Sequence, residues 1–312
     1  MTRRRVTIAA IVAAVLGVIA ALGAFSGNTA AVTVTAGTGG VPYATWYWTM
    51  AVAPKDENTL VLGTNTGLYR SADAGKTWSP VGPKGVQATS LVQAGDDLIM
   101  GGVVSKNPGG IVRKGAGRVA PDGPAAVAKS TDGGKTWQTL HPSGLPNVTI
   151  QAMAIAPQST TAIYALLNTG ALYRSADEAQ SFQLVSKKLG IAPWALATTQ
   201  GSEFVSGDMD SGPHVSANGK TWQPTSFKDS RGGKMVMEYA TQPNAPTHIL
   251  MSSIGVVLST DGGKSWHTSL KSTVMFGPVT WVPEKPTVAY AVGFDQSLWR
   301  TDNAGKTWKK VV

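Results

Sequence analysis

Asp208, Asp210 and Glu238 are the acidic side chains whose chemistry is worth asking about first in this chain of 312 residues. Hydrolysis of a glycosidic bond takes two carboxylates about 5–10 Å apart, one giving a proton and the other attacking or activating water. Asp208 or Asp210 with Glu238 would form such a pair across neighbouring segments, although nothing else in the sequence selects it. Glu238 also precedes Tyr239, but strand alternation sends the two side chains to opposite faces, which is poor geometry for a base-activated tyrosine. The Asp-x-Asp spacing at 208–210 hints at calcium, yet the rest of a calcium loop is missing, and a solvated acidic loop is the plainer reading. His141, His214, His248 and His267 are scattered and form no zinc spacing, so no metal and no cofactor is expected. Nucleophile-elbow and Walker patterns are likewise missing.

The other binding chemistry is cationic and aromatic. Arg113 and Arg118 sit in a Gly/Pro-rich stretch at 104–126 that also carries Lys106 and Lys114 against a lone Asp122. That stretch reads either as a tolerated surface insertion or as part of a binding face. Arg231 follows Asp229 in a second polar segment. Aromatics gather ahead of apolar runs at Tyr43, Trp46, Tyr47 and Trp48, at Trp194, and at Phe276 and Trp281. Most must pack inside; Tyr43, Trp46 and Trp194 are the candidates for a ligand-facing ring.

The elements that position these groups come from a repeat. SADAGKTW at 71–78 returns as STDGGKTW at 130–137 and, decayed, as SADEAQSF at 175–182. It shortens to SANGKTW at 216–222, recovers as STDGGKSW at 259–266 and closes as TDNAGKTW at 301–308. Periods of this order mark a repeat architecture. Before each phrase stand three short Val-, Leu-, Ile- and Tyr-rich runs bounded by Gly, Pro and Asn, and one run follows it. This is the pattern of a four-stranded antiparallel meander. Asp73, Asp132, Asp177 and Asp261 can accept backbone N–H bonds within a tight turn. Trp78, Trp137, Trp222, Trp266 and Trp308 each offer an apolar face and one N–H to satisfy. One such sheet cannot cover itself; radial stacking of several can.

The phrase S-x-D-x-G-x-x-W resembles the Asp-box, or BNR, repeat of sialidase-like, sortilin-like and photosystem II assembly factor-like propellers. Two copies match in full, a third reads SADAGKTW, and the likeness spans about 44–312. It implies an all-β propeller, with six blades from six phrases and seven as the alternative. It also implies that the Asp-box turns are structural and that ligands meet the opposite face. Sialidases would further bring three substrate-gripping arginines, the first in an F/Y-R-I-P motif. This chain has no such motif, because Leu68-Tyr69-Arg70-Ser71 belongs to the repeat. Fold alone does not give function.

The amino end supplies an address. Residues 1–5 form a basic n-region, 6–25 an apolar run that reads as a signal peptide or retained signal-anchor helix, 26–43 a linker or edge strand, and 44–312 the propeller. About 20 apolar residues span a bilayer, with the arginines kept in the cytoplasm. The chain has no cysteine and a formal net charge of +9. Much of that charge lies in the n-region and in the repeated Lys of the phrase, spread around a ring. Nucleic-acid binding is therefore not expected. The expectation is an extracytoplasmic, membrane-anchored, non-catalytic module that binds a protein or cell-envelope glycan. A sialidase-like exo-acting glycoside hydrolase is the alternative, and oligomeric state is left open.

Overall fold

Apolar runs four to nine residues long make strands wherever a two-residue turn separates them. The computed structural model describes residues 40–105, 112–114, 117–119, 122–156, 159–191, 194–200 and 203–312. The expected helix at 6–25 lies outside them, and no helix occurs among the described residues.

The first sheet holds β1 (Tyr47–Ala53), β2 (Asp56–Thr64), β3 (Gly67–Ser71) and β4 (Ser79–Val81) in that order. The second is built from β5 (Val86–Ala94) and β6 (Asp97–Val104), followed after an insertion by two more strands. The insertion carries the ribbon of β7 (Val112–Lys114) and β8 (Gly117–Val119); β9 (Ala125–Ser130) and β10 (Gln138–Leu140) then complete the order β10-β9-β6-β5. The third sheet is β11 (Ile150–Ile155), β12 (Ile163–Leu167), β13 (Leu172–Ser175) and β14 (Gln183–Ser186). The fourth is β15 (Ala195–Thr199), β16 (Glu203–Asp208), β17 (Gly212–Ser216) and β18 (Gln223–Pro224). The last comprises β19 (Tyr239–Gln242), β20 (Ala245–Ser259), β21 (His267–Val282), β22 (Lys285–Gly293), β23 (Leu298–Thr301) and β24 (Lys309–Lys310).

The expectation of six separate blades, or seven, is corrected by this pairing. Four sheets have four strands, and the fifth and sixth phrases both lie in one six-stranded sheet. The reason is local. Where other repeats turn at Asn65-Thr66-Gly67 or Asn168-Thr169-Gly170, the fifth has Ser252-Ser253-Ile254, which stays extended inside the 15-residue β20. The segment 271–275, rich in β-formers, likewise continues through the 16-residue β21. Register breaks at Ile254/Val256 and Phe276/Val279 mark where each long strand bends. Gly255 permits the first bend, with φ of 86° and a virtual Cβ only 2.3 Å from the Leu270 carbonyl oxygen. Gly255→Ala should therefore cost about 2–4 kcal/mol through left-handed strain and overpacking, read as a fall in the urea midpoint.

The inner strands close into a ring. β1 neighbours β5, β5 neighbours β11, β11 neighbours β15, β15 neighbours β19, and β21 returns to β1. Hydroxyl groups stitch this circle. Leu91 N–H donates to Thr49 Oγ1 at 3.1 Å, Thr89 Oγ1 to the Ile150 carbonyl at 2.6 Å, and Thr241 Oγ1 to the Thr198 carbonyl at 2.7 Å. Between the third and fourth sheets, Thr198 Oγ1 donates to the Ile155 carbonyl. β1 is buried along its whole length, whereas β10 and β18 are largely exposed and β4 is at most half-buried, so the core lies between sheets and around the axis. From the segment expected as an edge strand, Gly40 bridges Ser297 and Val41 is buried against the last repeat.

Candidate functional site

The repeated turns are built alike. Ser71 Oγ donates to Asp73 Oδ1 at 2.7 Å and accepts the Gly75 N–H at 2.8 Å. Asp73 in turn accepts the Thr77 N–H at 2.9 Å and the Thr77 hydroxyl at 2.6 Å. The set recurs at Ser130/Asp132/Thr136, Ser175/Asp177/Ser181 and Ser259/Asp261/Ser265. Asn218 and Asn303 take the same seat in the two degenerate copies. The leading Ser or Thr is nearly fully buried every time, a role the spacing of Asp, Gly and Trp does not reveal.

Burial costs these aspartates something, but the bonds they accept outweigh it. For Asp132, desolvation is opposed by Thr136, Ser130 and the Lys135 N–H, and the carboxyl is held at about 2. The Ser181 hydroxyl is the largest influence on Asp177, which also sits at about 2. In Asp73 and Asp261 desolvation is likewise outweighed, by bonds from Thr77 and Ser265, and both fall below the ordinary value. The indoles differ. Trp78 is buried and donates to the carbonyls of Gly40 at 2.6 Å and Gly75 at 3.0 Å. Trp137 donates to the Gly134 carbonyl, Trp266 to Thr225 Oγ1 and Trp308 to Ser269 Oγ, each from a half-buried ring. Trp222 is also half-buried.

A cavity of about 620 Å³ runs along the ring axis. Its wall is the inner strands, with Met50, Ala152, Ala154 and Ala197 as apolar lining and Thr89, Gln151 and Thr198 as polar lining. At one end it is bounded by residues of the turns between first and second strands, among them Gly95, Ser159, Gln200, Pro243 and Pro283. In an antiparallel meander that end shares its face with the Asp-box turns. At the opposite end an aromatic cluster fills the ring. Trp46 stands 5.4 Å from Trp48, 6.0 Å from Trp194 and 5.0 Å from Phe294, centroid to centroid.

The expected site residues distribute unevenly over this frame. Tyr43 is 69% exposed, whereas Trp46 is buried in the cluster and Trp194 borders the cavity from it. Arg113 and Arg118 face each other as backbone partners in the β7–β8 ribbon. Arg231 is exposed and donates to the Thr273 carbonyl at 2.5 Å. The Asp208 carboxylate caps its own turn, accepting the N–H groups of Asp210 at 2.8 Å and Ser211 at 2.5 Å; Asp210 is exposed. Glu238 lies elsewhere, on the cavity wall. Its Oε2 accepts the Val279 N–H at 3.2 Å, its carboxyl meets the Thr49 hydroxyl, and its N–H donates to Ser252 Oγ. It is half-buried and lines the cavity. Desolvation there outweighs those bonds and pushes the carboxyl well above the ordinary value. The Asp208 carboxylate is engaged by its own hairpin and the Glu238 carboxylate by Thr49 and Val279, while the Asp208 carbonyl accepts the Val236 N–H at 2.9 Å. Among the described residues no cluster of His, Asp or Glu could hold a metal ion.

Residues 28–205 match the DUF6242 beta propeller domain, and residues 257–268 match the BNR/Asp-box repeat. No curated protein matches the chain. Similar solved structures include a YCF48 bound to D1 peptide, 18% identical over 87% of this chain and 82% of that one, with a TM-score of 0.49. YCF48 from Cyanidioschyzon merolae is 15% identical over 86% of each chain, with a TM-score of 0.50. A protein of unknown function from Bacteroides thetaiotaomicron is 10% identical over 85% of this chain and 68% of that one, with a TM-score of 0.56. At these identities the likeness shows the fold alone.

Proposed function

From the premise that the chain belongs to the DUF6242 beta-propeller family, we propose that it is a non-catalytic binding module. It works outside the cytoplasm, held at a membrane by the apolar segment 6–25, and engages a protein or an envelope glycan. The observation that carries this reading is the axial cavity, a concave, largely apolar space with a few convergent polar groups. Among the described residues Glu238 is the one acidic group of its lining, and a glycoside hydrolase needs a second carboxylate at that spacing. Access to it is from the Asp-box face and not from the opposite face that the family resemblance implies, since the aromatic cluster occupies the other end.

The test is binding of the full chain to arrays of extracytoplasmic peptides and envelope glycans. Ala154→Trp, which places an indole in the cavity, should abolish binding, while Arg231→Ala on the far rim should leave it unchanged. The converse pattern would put the site on the far rim. Turnover of fluorogenic glycosides, sialosides included, that disappears in Glu238→Gln would overturn the reading in favour of hydrolysis.

A further inference from the structure

We propose that the inner end of the axial cavity is a cation subsite that takes the ammonium group of a peptide, with Glu238 as its counter-ion and the Trp48 and Trp194 rings beside it. This deepens the binding role given above and rests on it. Among the described residues Glu238 is the only ionisable acid or base other than Tyr239 lining the cavity. A lone carboxyl in such a place is expensive as an anion unless a cation joins it. Two indoles border the same end, where Trp48 and Trp194 lie 5.8 Å apart at a 37° tilt. Indole faces attract desolvated cations, so acid and rings favour the same ligand charge. Among the described residues no lysine, arginine or histidine lines the cavity to compete for the carboxylate.

The ligand's shape follows from depth. Glu238 precedes β19 and the Pro243 turn, so it lies five residues from the turn end of the wall. At 3.3 Å per strand residue this is roughly 15 Å. A lysine side chain alone is too short for that distance, so extended backbone must enter with the ammonium leading. The apolar lining suits a peptide stem better than a sugar. The ammonium can be a lysine side chain or a free amino terminus, which share one chemistry.

Proton linkage gives the proposal a separate readout. Burial biases the empty site's acid towards its neutral form, and a bound cation would favour the carboxylate, so binding should release protons. The groups packed against Glu238 do not interfere. β1 contributes the Thr49 hydroxyl, β20 Ser252 and β21 the Val279 N–H, none of which titrates in the working range. Tyr239 is the other titratable lining residue, and burial raises its hydroxyl well above the ordinary value, so it stays neutral.

The experiment is calorimetry of the full chain at pH 7 in buffers of differing ionisation enthalpy. One probe pair is Nα-acetyl-lysine methylamide with its neutral analogue Nα-acetyl-norleucine methylamide. The other is triglycine amide with a free or an acetylated amino terminus. The ammonium member of at least one pair should bind about tenfold or more tightly than its neutral mate. It should release protons on binding, and Glu238→Gln should remove both the preference and the release. Whichever pair shows the effect identifies the source of the ammonium. Equal binding of charged and neutral members, or binding with no proton released by the native chain, would overturn the cation subsite while leaving the cavity a binding site. No binding by any of the four would sink the cavity reading itself. The native chain's proton count holds its meaning even where Glu238→Gln fails to fold.

Discussion

Trp78→Ala should be the most damaging single change at an Asp-box indole, lowering unfolding free energy by about 3–5 kcal/mol, the range for truncating a fully buried aromatic. Trp78 lies 1% exposed at the seam where the first repeat meets the last. Its N–H bonds to the Gly40 carbonyl and so holds the strand that bridges Ser297. Beneath it Gly75 is so close to Leu298 that a virtual Cβ would stand 2.2 Å from that side chain. Removing the indole therefore empties a site walled by both ends of the chain, and collapse would have to move β1, β2 and β23 together. Trp137 holds the equivalent seat one repeat on, but it is half-buried and bonds only within its own turn. Trp137→Ala should cost roughly 1–3 kcal/mol, in proportion to the smaller area it buries. Urea unfolding followed by far-UV circular dichroism compares the two. Equal losses would show that the closing seam has no special share in stability.

The repeat was legible because its turn needs particular residues at fixed offsets, and such needs leave a regular trace. Asp73, Asp132, Asp177 and Asp261 make the bonds their position implies, and strands lie where apolar runs meet Gly, Pro and Asn. The fusion of the last two units was not legible. It depends on Ser252-Ser253-Ile254 continuing a strand where Asn-Thr-Gly would have turned it, which only the pairing partners settle. Asn218 and Asn303 were hidden for another reason. An amide oxygen can accept the same N–H bonds as a carboxylate, so the turn survives loss of the acid.

The site was legible in its residues more than in its geometry. Trp46 and Trp194 were singled out together, and they do meet, at 6.0 Å. Periodicity could not tell that their cluster fills one end of the ring, because that depends on which strand end each indole occupies. Glu238 was visible only as half of a carboxylate pair with Asp208. The hairpin between β16 and β17 turns the Asp208 carboxylate onto its own backbone, and Glu238 lines the cavity.

Acid should unfold the propeller through its turns, and two of the six turns provide a built-in control. Folding holds Asp132 and Asp177 at about 2, with Asp73 and Asp261 also lowered. A carboxyl whose folded pKa is depressed adds stability above its unfolded value of about 4 and gives it up as pH falls towards 2. These groups are exposed or half-exposed, so solvent screening reduces each contribution to roughly 1 kcal/mol, or about 4 kcal/mol for the four together. Asn218 and Asn303 do not titrate, and their turns should keep their bonds through the same range. Glu238 acts with the opposite sign. Its raised folded pKa stabilises the protein below the ordinary carboxylate range, and that gain is lost as pH rises through the folded value. The melting temperature should therefore peak in weak acid. Replacing all four aspartates by Asn should flatten the fall between pH 4 and pH 2, while Glu238→Gln should lift only the neutral side. An acid limb as steep in the fourfold variant as in the native chain would mean that groups outside the Asp-box turns govern acid unfolding.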